Sequence, residues 1–166
     1  MQDVLYYCLM NQKINAFPSG VRLANLGDIP VLADLLAQLF KKEPDFTVDS
    51  SRQKRGLELM LEDEERNLVL VAEDKGDVIG MVTVQLNIST SEGGYSGLLE
   101  DLVVREDRQG QGWGSDLLAS ALEWSRKKGS TRVQLLADRN NQSALDFYTR
   151  KGLGPTSMVG RKILFP

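Results

Sequence analysis

The chain has 166 residues, 42% of them apolar and 26% charged, with a formal net charge of −3. This is the composition of a soluble globular protein, long enough to bury a core without disulfide or metal staples, and its acidic balance argues against nucleic acid as a partner. A single cysteine, Cys8, and the absence of histidine exclude an intrachain disulfide, a thiol-rich metal site and any mechanism built on a histidine base or ligand; no metal is expected.

The elements follow in chain order. Residues 4–10 (VLYYCLM) are apolar but too short to span a membrane, and no basic flank precedes them. The protein therefore reads as cytoplasmic, with no membrane partner. Residues 1–20 form an extension that is an extra strand, a homodimer contact or a loose arm, ahead of what reads as a single domain over 1–166. Residues 21–24 suit a short strand. Asp28 then caps a helix with Pro30 in its first turn and Ile29, Leu32, Leu36, Leu39 and Phe40 as its apolar stripe, and Pro44 breaks it. Ser50 or Ser51 caps a second helix running to about Glu62, and the acidic run 62–65 reads as a solvated face.

Residues 67–88 predict two strands around a Lys75–Gly76 turn. A flexible loop over 89–97 and a strand over 98–104 (LLEDLVV) come next. The helix opening near Gly112 turns Leu117, Leu118, Ala121 and Leu122 inward and ends at Lys127–Lys128–Gly129, with cations at its negative pole and glycine just past it. Residues 131–137 predict a strand, 141–151 a short helix stopped by Gly152, and 156–165 a last strand. The fold class is α/β: a mixed sheet flanked by helices.

The stretch DRQGQGWGS puts Gly110, Gly112 and Gly114 directly ahead of a helix, where glycine costs about 1 kcal/mol relative to alanine. A helix start presents unpaired N–H groups and about half a positive charge. Glycines there let a phosphate reach the amides without meeting a Cβ. The competing reading is a tight strand-to-helix crossing that uses glycine for packing alone. The nucleotide-binding patterns fail on spacing: no G-K-[ST] follows four spacers, and G-x-G-x-G is not G-x-G-x-x-G.

Gln109-Gly110-Gln111-Gly112-Trp113-Gly114 resembles the Q/R-x-x-G-x-G/A signature of the GNAT superfamily of acetyl-CoA-dependent N-acetyltransferases. The strand LEDLVV ahead of it is similar to that family's fourth strand. Downstream, Asn141, Ala144, Phe147, Tyr148, Arg150 and Gly152 match the family's second motif, N-x-x-A-x-x-F-Y with a basic residue and glycine after it. The resemblance covers residues 68–153 well, 22–40 loosely and 1–20 not at all. Glu106 stands where many members have proline, and Gln109 is neutral where many carry arginine.

The resemblance implies a central, mostly antiparallel sheet with splayed fourth and fifth strands and about four helices around it. It implies acetyl-CoA as co-substrate and a small-molecule amine as acceptor. Its pyrophosphate would lie on Gln109, Gly110, Gln111, Gly112, Trp113, Gly114 and Ser115, and its pantetheine arm along Leu102, Val103 and Val104, with Asn141 and Phe147 nearby. Arg105, Arg108 and Arg139 are candidates for the 3′-phosphate, with solvated surface arginines as the favoured reading. With histidine absent, a carboxylate acting through water is the available base. Regular alternation puts Glu100 and Asp101 on opposite faces, Glu100 with Leu102 and Val104. A glutamate at this position is the base in some relatives, so Glu100 is favoured over Asp101. Tyr148, in the position of the family's tyrosine, is the candidate acid for the departing thiolate. Two other readings are an acyl-CoA-binding regulatory module without chemistry and acetylation of a protein or peptide amine.

Overall fold

The computed structural model describes residues 17–43 and 45–165; the 4–10 stretch, Cys8 and Pro44 lie outside them. The elements are β1 (Val21–Leu23), α1 (Ile29–Phe40), α2 (Ser50–Glu62), β2 (Asn67–Asp74), β3 (Asp77–Ser89), β4 (Gly94–Val104), α3 (Trp113–Lys127), β5 (Ser130–Gln134) and α4 (Gln142–Arg150). The strands form one sheet in the order β1-β2-β3-β4-β5. The first three pairings are antiparallel and β4–β5 is parallel. Among the described residues no helix is long and apolar enough to cross a membrane.

The sheet is covered on both faces, and β2 shows why. Leu68, Leu70 and Ala72 point one way, Val69 and Val71 the other, and all five are buried. A strand apolar at both parities needs cover on both sides. One face packs Val82, Val84 and Leu99 against Leu117, Leu118, Ala121 and Trp124 of α3. Those α3 positions recur at helical spacing, which makes a single apolar stripe. On the other face Val69, Val71, Met81 and Val103 meet Leu32, Leu35 and Leu36 of α1 and Leu57 of α2. Arg22 ties β1 to the start of α1: its guanidinium donates to Asp28 at 2.7 and 2.9 Å and to Glu73 at 2.7 Å.

Several elements depart from the sequence expectation. Asp28 stands at the N-cap position of α1 but makes no capping hydrogen bond there, because its carboxylate is taken by Arg22 and the Asn25 amide; Asn25 caps the short 3-10 turn Leu26–Asp28 ahead of the helix by accepting from the Gly27 amide. The cap of α2 is Asp49, which accepts from the Ser51 and Arg52 amides. The loop expected over 89–97 is shorter, and β4 starts at Gly94 because it pairs with β3 from Ser89↔Gly94 onward. β5 stops at Gln134 rather than 137. No strand forms over 156–165; this segment finds no sheet partner, and Met158, Ile163, Leu164 and Phe165 are exposed.

The β4–β5 pairing runs only from Tyr95↔Ser130 to Leu98↔Gln134, while β4 continues six residues further. The two strands therefore part beyond Leu98. At the last paired positions the chains are tight: a Cβ added to Gly97 would sit 3.1 Å from Val133 Cγ2 and 3.3 Å from Val84 Cγ1. Gly97→Val is expected to destabilise the fold by about 1–3 kcal/mol through overpacking. That should appear as a lower urea midpoint at unchanged slope; an unchanged midpoint would show that the β4–β5 contact has room to spare.

Candidate active site

The glycine stretch lies between the end of β4 and the first turn of α3. Gly110 and Gly112 have φ of +75° and +98°, the left-handed region that glycine enters without strain. A Cβ on either would meet nothing within 4 Å, so their front is open. Gly114 is different: its added Cβ would make ordinary contact with Val104 Cγ2 at 3.8 Å and Phe147 Cζ at 3.9 Å. The amides of Gly110, Gln111, Gly112, Trp113 and Gly114 have no hydrogen-bond acceptor among the described residues, and no side chain caps α3. Such amides at a helix start, backed by the helix dipole, suit a diphosphate group. The Ser115 amide is committed to Gly112 O at 2.8 Å. Trp113 turns inward, and its ring lies so close to Gly20 that an added Cβ there would be 2.8 Å away.

The edge of β4 that faces the parting carries further open groups. Arg105 N–H donates to Ile79 O at 2.7 Å, so strand alternation turns the backbone of Val104 and Leu102 away from β3. Gln109 then closes one of them by donating from Nε2 to Val104 O at 2.8 Å. The neutral glutamine thus fastens the loop to the strand. Leu102 and Val104 bury their side chains against the α3 face, and Val103 against α1.

The carboxylates depart from regular alternation. Met81 pairs with Val103 and Thr83 with Glu100, so Asp101 and Leu102 together oppose Val82 in a bulge. Asp101 has φ of +52° at this point. Glu100 therefore does not share a face with Leu102 and Val104. Both carboxylates lie on the α1–α2 side: Thr83 Oγ1 donates to Asp101 at 3.1 Å and Gln85 Nε2 reaches Glu100 at 3.4 Å. Burial, with the charge of Glu100 beside it, raises the Asp101 pKa to about 6, partly offset by the Thr83 hydrogen bond. Burial also pushes Glu100 up.

From α4, Asn141 caps its own helix by accepting from the Ala144 amide at 3.1 Å. Phe147 and Tyr148 stack edge to face at 5.4 Å and pack against the α3-side core. The Tyr148 hydroxyl makes no hydrogen bond among the described residues. Burial, then the charge of Glu43, raises its pKa, so the phenol stays protonated at neutral pH. Glu43 is a residue the sequence did not single out. It follows α1, is raised by burial and by Asp138 and Asp45, and also acts on Asp101. Its charge thus lies near enough to raise both Asp101 of β4 and Tyr148 of α4; nothing in the KKEPDF stretch signals this.

Of the arginines, Arg105 is held by Asp107 at 2.6 Å and Arg108 by Asp74 at 2.7 Å, whereas Arg139 is exposed with no ion pair among the described residues. Next to the carboxylates, a cleft of about 480 Å³ opens between α1, α2 and the sheet, lined by Leu36, Phe40, Gln53, Met60, Thr83 and Asp101 among others.

Residues 33–154 match the family model described as Acetyltransferase (GNAT) family. An aminoalkylphosphonate N-acetyltransferase of Salmonella typhimurium is 28% identical over 145 residues, which span 87% of this chain and 91% of that protein. Among solved structures, a transcriptional regulator from Bacillus halodurans superposes with a TM-score of 0.76 at 26% identity over 87% of this chain and 98% of its own. Glucosamine-6-phosphate N-acetyltransferase from Arabidopsis thaliana superposes with a TM-score of 0.71 at 20% identity over 87% and 97%.

The buried Asp101 carboxylate yields a stability test. A carboxyl whose folded pKa is raised from 3.8 to about 6 favours the fold while protonated, and that advantage is lost as pH rises through about 6. At pH 8 the fold therefore carries the cost of the buried charge, up to about 3 kcal/mol. Asp101→Asn should raise the melting temperature at pH 8 and lose that margin by pH 4. Thermal melts at the two pH values decide it; a variant no more stable at pH 8 would contradict the burial argument.

Proposed function

The chain belongs to the GNAT family of acetyltransferases, and from that premise we propose that it transfers an acetyl group from acetyl-CoA to a primary amine of a small molecule by direct attack. The observation that carries this reading is the row of unpaired amides from Gly110 to Gly114, open to the front, at the mouth of the β4–β5 parting. The relatives named for their substrates act on an aminoalkylphosphonate and on glucosamine-6-phosphate. Both are small amines, which supports a small-molecule acceptor here. The reading treats the chain as one cytoplasmic acetyltransferase domain with residues 1–20 ahead of it.

When bound, acetyl-CoA supplies the thioester. The amides of residues 110–114 hold its pyrophosphate with the α3 dipole behind them, and the exposed edge at Leu102 and Val104 receives its pantetheine arm as an added strand. An N–H on that edge polarises the carbonyl as negative charge develops on it. Phe147 covers the start of α3 beside this arm. Asn141 acts at one remove, by fixing the first turn of α4.

An acceptor amine arrives protonated, since its pKa is about 10.4. Glu100 and Asp101 attract the ammonium and take up its proton through water. With like charges adjacent on one face, they titrate as a coupled pair. Asp101, raised to about 6, is ionised and competent as a base above that pH, and burial raises Glu100 beside it. The new N–C bond forms as the C–S bond breaks, and the nitrogen gives its second proton to water. Tyr148, held protonated by its burial, delivers its proton to the departing sulfur and regains one from water.

This division of labour is tested at Tyr148 with any amine that the wild-type enzyme acetylates. Tyr148→Phe keeps the ring and removes only the proton donor, so kcat should fall by about 10² to 10⁴. Coenzyme A affinity should stay unchanged, because only a transition-state interaction is lost. Thiol-release kinetics and a coenzyme A titration measure the two quantities. A variant with full kcat would assign the proton to solvent.

A further inference from the structure

The segment that follows α4 takes no part in the reaction so far. Leu153 still packs on the α3-side core, and from there to residue 165 the chain forms no helix or strand and is exposed. It touches both banks of the β4–β5 parting. On the β5 bank it passes Leu136: a Cβ added to Gly160 would lie 4.0 Å from both δ carbons of that side chain. On the α1 bank the Lys162 ammonium donates to Asp45 O at 3.0 Å and to Asp45 Oδ1 at 2.8 Å. The banks lie close, since the charges of Asp138, past β5, and of Asp45 both act on Glu43, past α1. Glu43 in turn acts on Asp101 and on the Tyr148 phenol. A primary amine of the chain itself therefore stands in the acidic field that draws an acceptor toward the base and the acid. Its hold there is loose. The Lys162 and Asp45 side chains are 57% and 75% exposed, and an ion pair between exposed groups contributes little. The ammonium can leave Asp45 for the site on a segment that has no strand pairing to break.

We propose that Lys162 is an acetylation site for the chain's own active site, modified in cis. This rests on the acetyl-transfer reading of the site. Lys162 Nζ gives one proton through water to the carboxylate pair and attacks the thioester carbonyl. The Nζ–C bond forms as the C–S bond breaks, the nitrogen gives its second proton to water, and Tyr148 protonates the sulfur. The products are the coenzyme A thiol and a neutral acetamide on Lys162. The acetamide offers Asp45 no charge, so the modified segment loses its anchor on the α1 bank.

The test incubates the full-length protein with acetyl-CoA and no added amine, following thiol release and intact mass, with peptide mapping of the product. One acetyl group per chain is expected, on Lys162, with one equivalent of thiol. A tethered acceptor has a fixed effective concentration, so the rate constant should hold over an about tenfold dilution of the protein. Free coenzyme A should slow the step. Lys162→Arg should abolish it and leave the turnover of an added amine unchanged. A rate constant that falls on dilution would make the transfer intermolecular and overturn the proposal. Acetyl groups spread over the exposed lysines at a rate insensitive to coenzyme A, the mark of direct chemical acetylation, would overturn it as well. If acetyl-CoA raises the melting temperature but Lys162 stays unmodified, the proposal fails and the donor site stands. No stabilisation by acetyl-CoA removes both.

Discussion

Everything that makes this sheet a candidate active site depends on where β4 and β5 stop pairing. Up to Leu98 the parallel ladder is close enough that a side chain at Gly97 would crowd Val133. Beyond it, β4 keeps its pairing with β3 but has lost its other neighbour. An unpaired strand edge is normally a liability that proteins cover. Here it lies beside a second set of unpaired donors, the amides ahead of α3, and both look onto the same parting. Gln109 joins the two by capping Val104 O at 2.8 Å.

The bulge at Asp101 changes what the same strand presents. By letting two residues oppose Val82 it puts two carboxylates on one face and returns Leu102 to the opposite side. The left-handed φ at a non-glycine residue is a local strain of about 1–3 kcal/mol. The buried charge adds to that cost. Such a concentration of unfavourable terms on one residue is expected at a functional position, where perturbed carboxyl pKa values serve proton transfer. Glu43 and Tyr148 extend this field across the parting, since the Glu43 charge acts on both Asp101 and the Tyr148 phenol.

Much of this was legible in the residues because the chemistry restricts them. Open amides at a helix start require glycine, so 110–114 announced itself, and α3 followed from its apolar stripe. The bulge is not legible: LLEDLVV alternates regularly enough that nothing in it marks Asp101 as the residue to turn, so regular alternation puts Glu100 on the face of Leu102 and Val104, from which the bulge removes it. The cap of α2 falls at Asp49 rather than Ser50 or Ser51, since each is chemically able to cap, and Asp28 holds the cap position of α1 while its carboxylate serves Arg22 instead. The segment 156–165 has the composition of a strand but no neighbour with which to pair. Propensity cannot supply a partner. Glu43 matters only through what the fold brings beside it.

If the β4 edge and the amides ahead of α3 form a single binding surface, coenzyme A protects both at once, and amide hydrogen exchange with and without it reads this directly. The amides of residues 110–114 have no acceptor among the described residues, and strand alternation turns those of Leu102 and Val104 away from β3. Exchange is expected to slow at Leu102, Val104 and residues 110–114 together, with β2 and β3 unchanged. Protection that appears at neither segment, or at one without the other, would contradict a single surface.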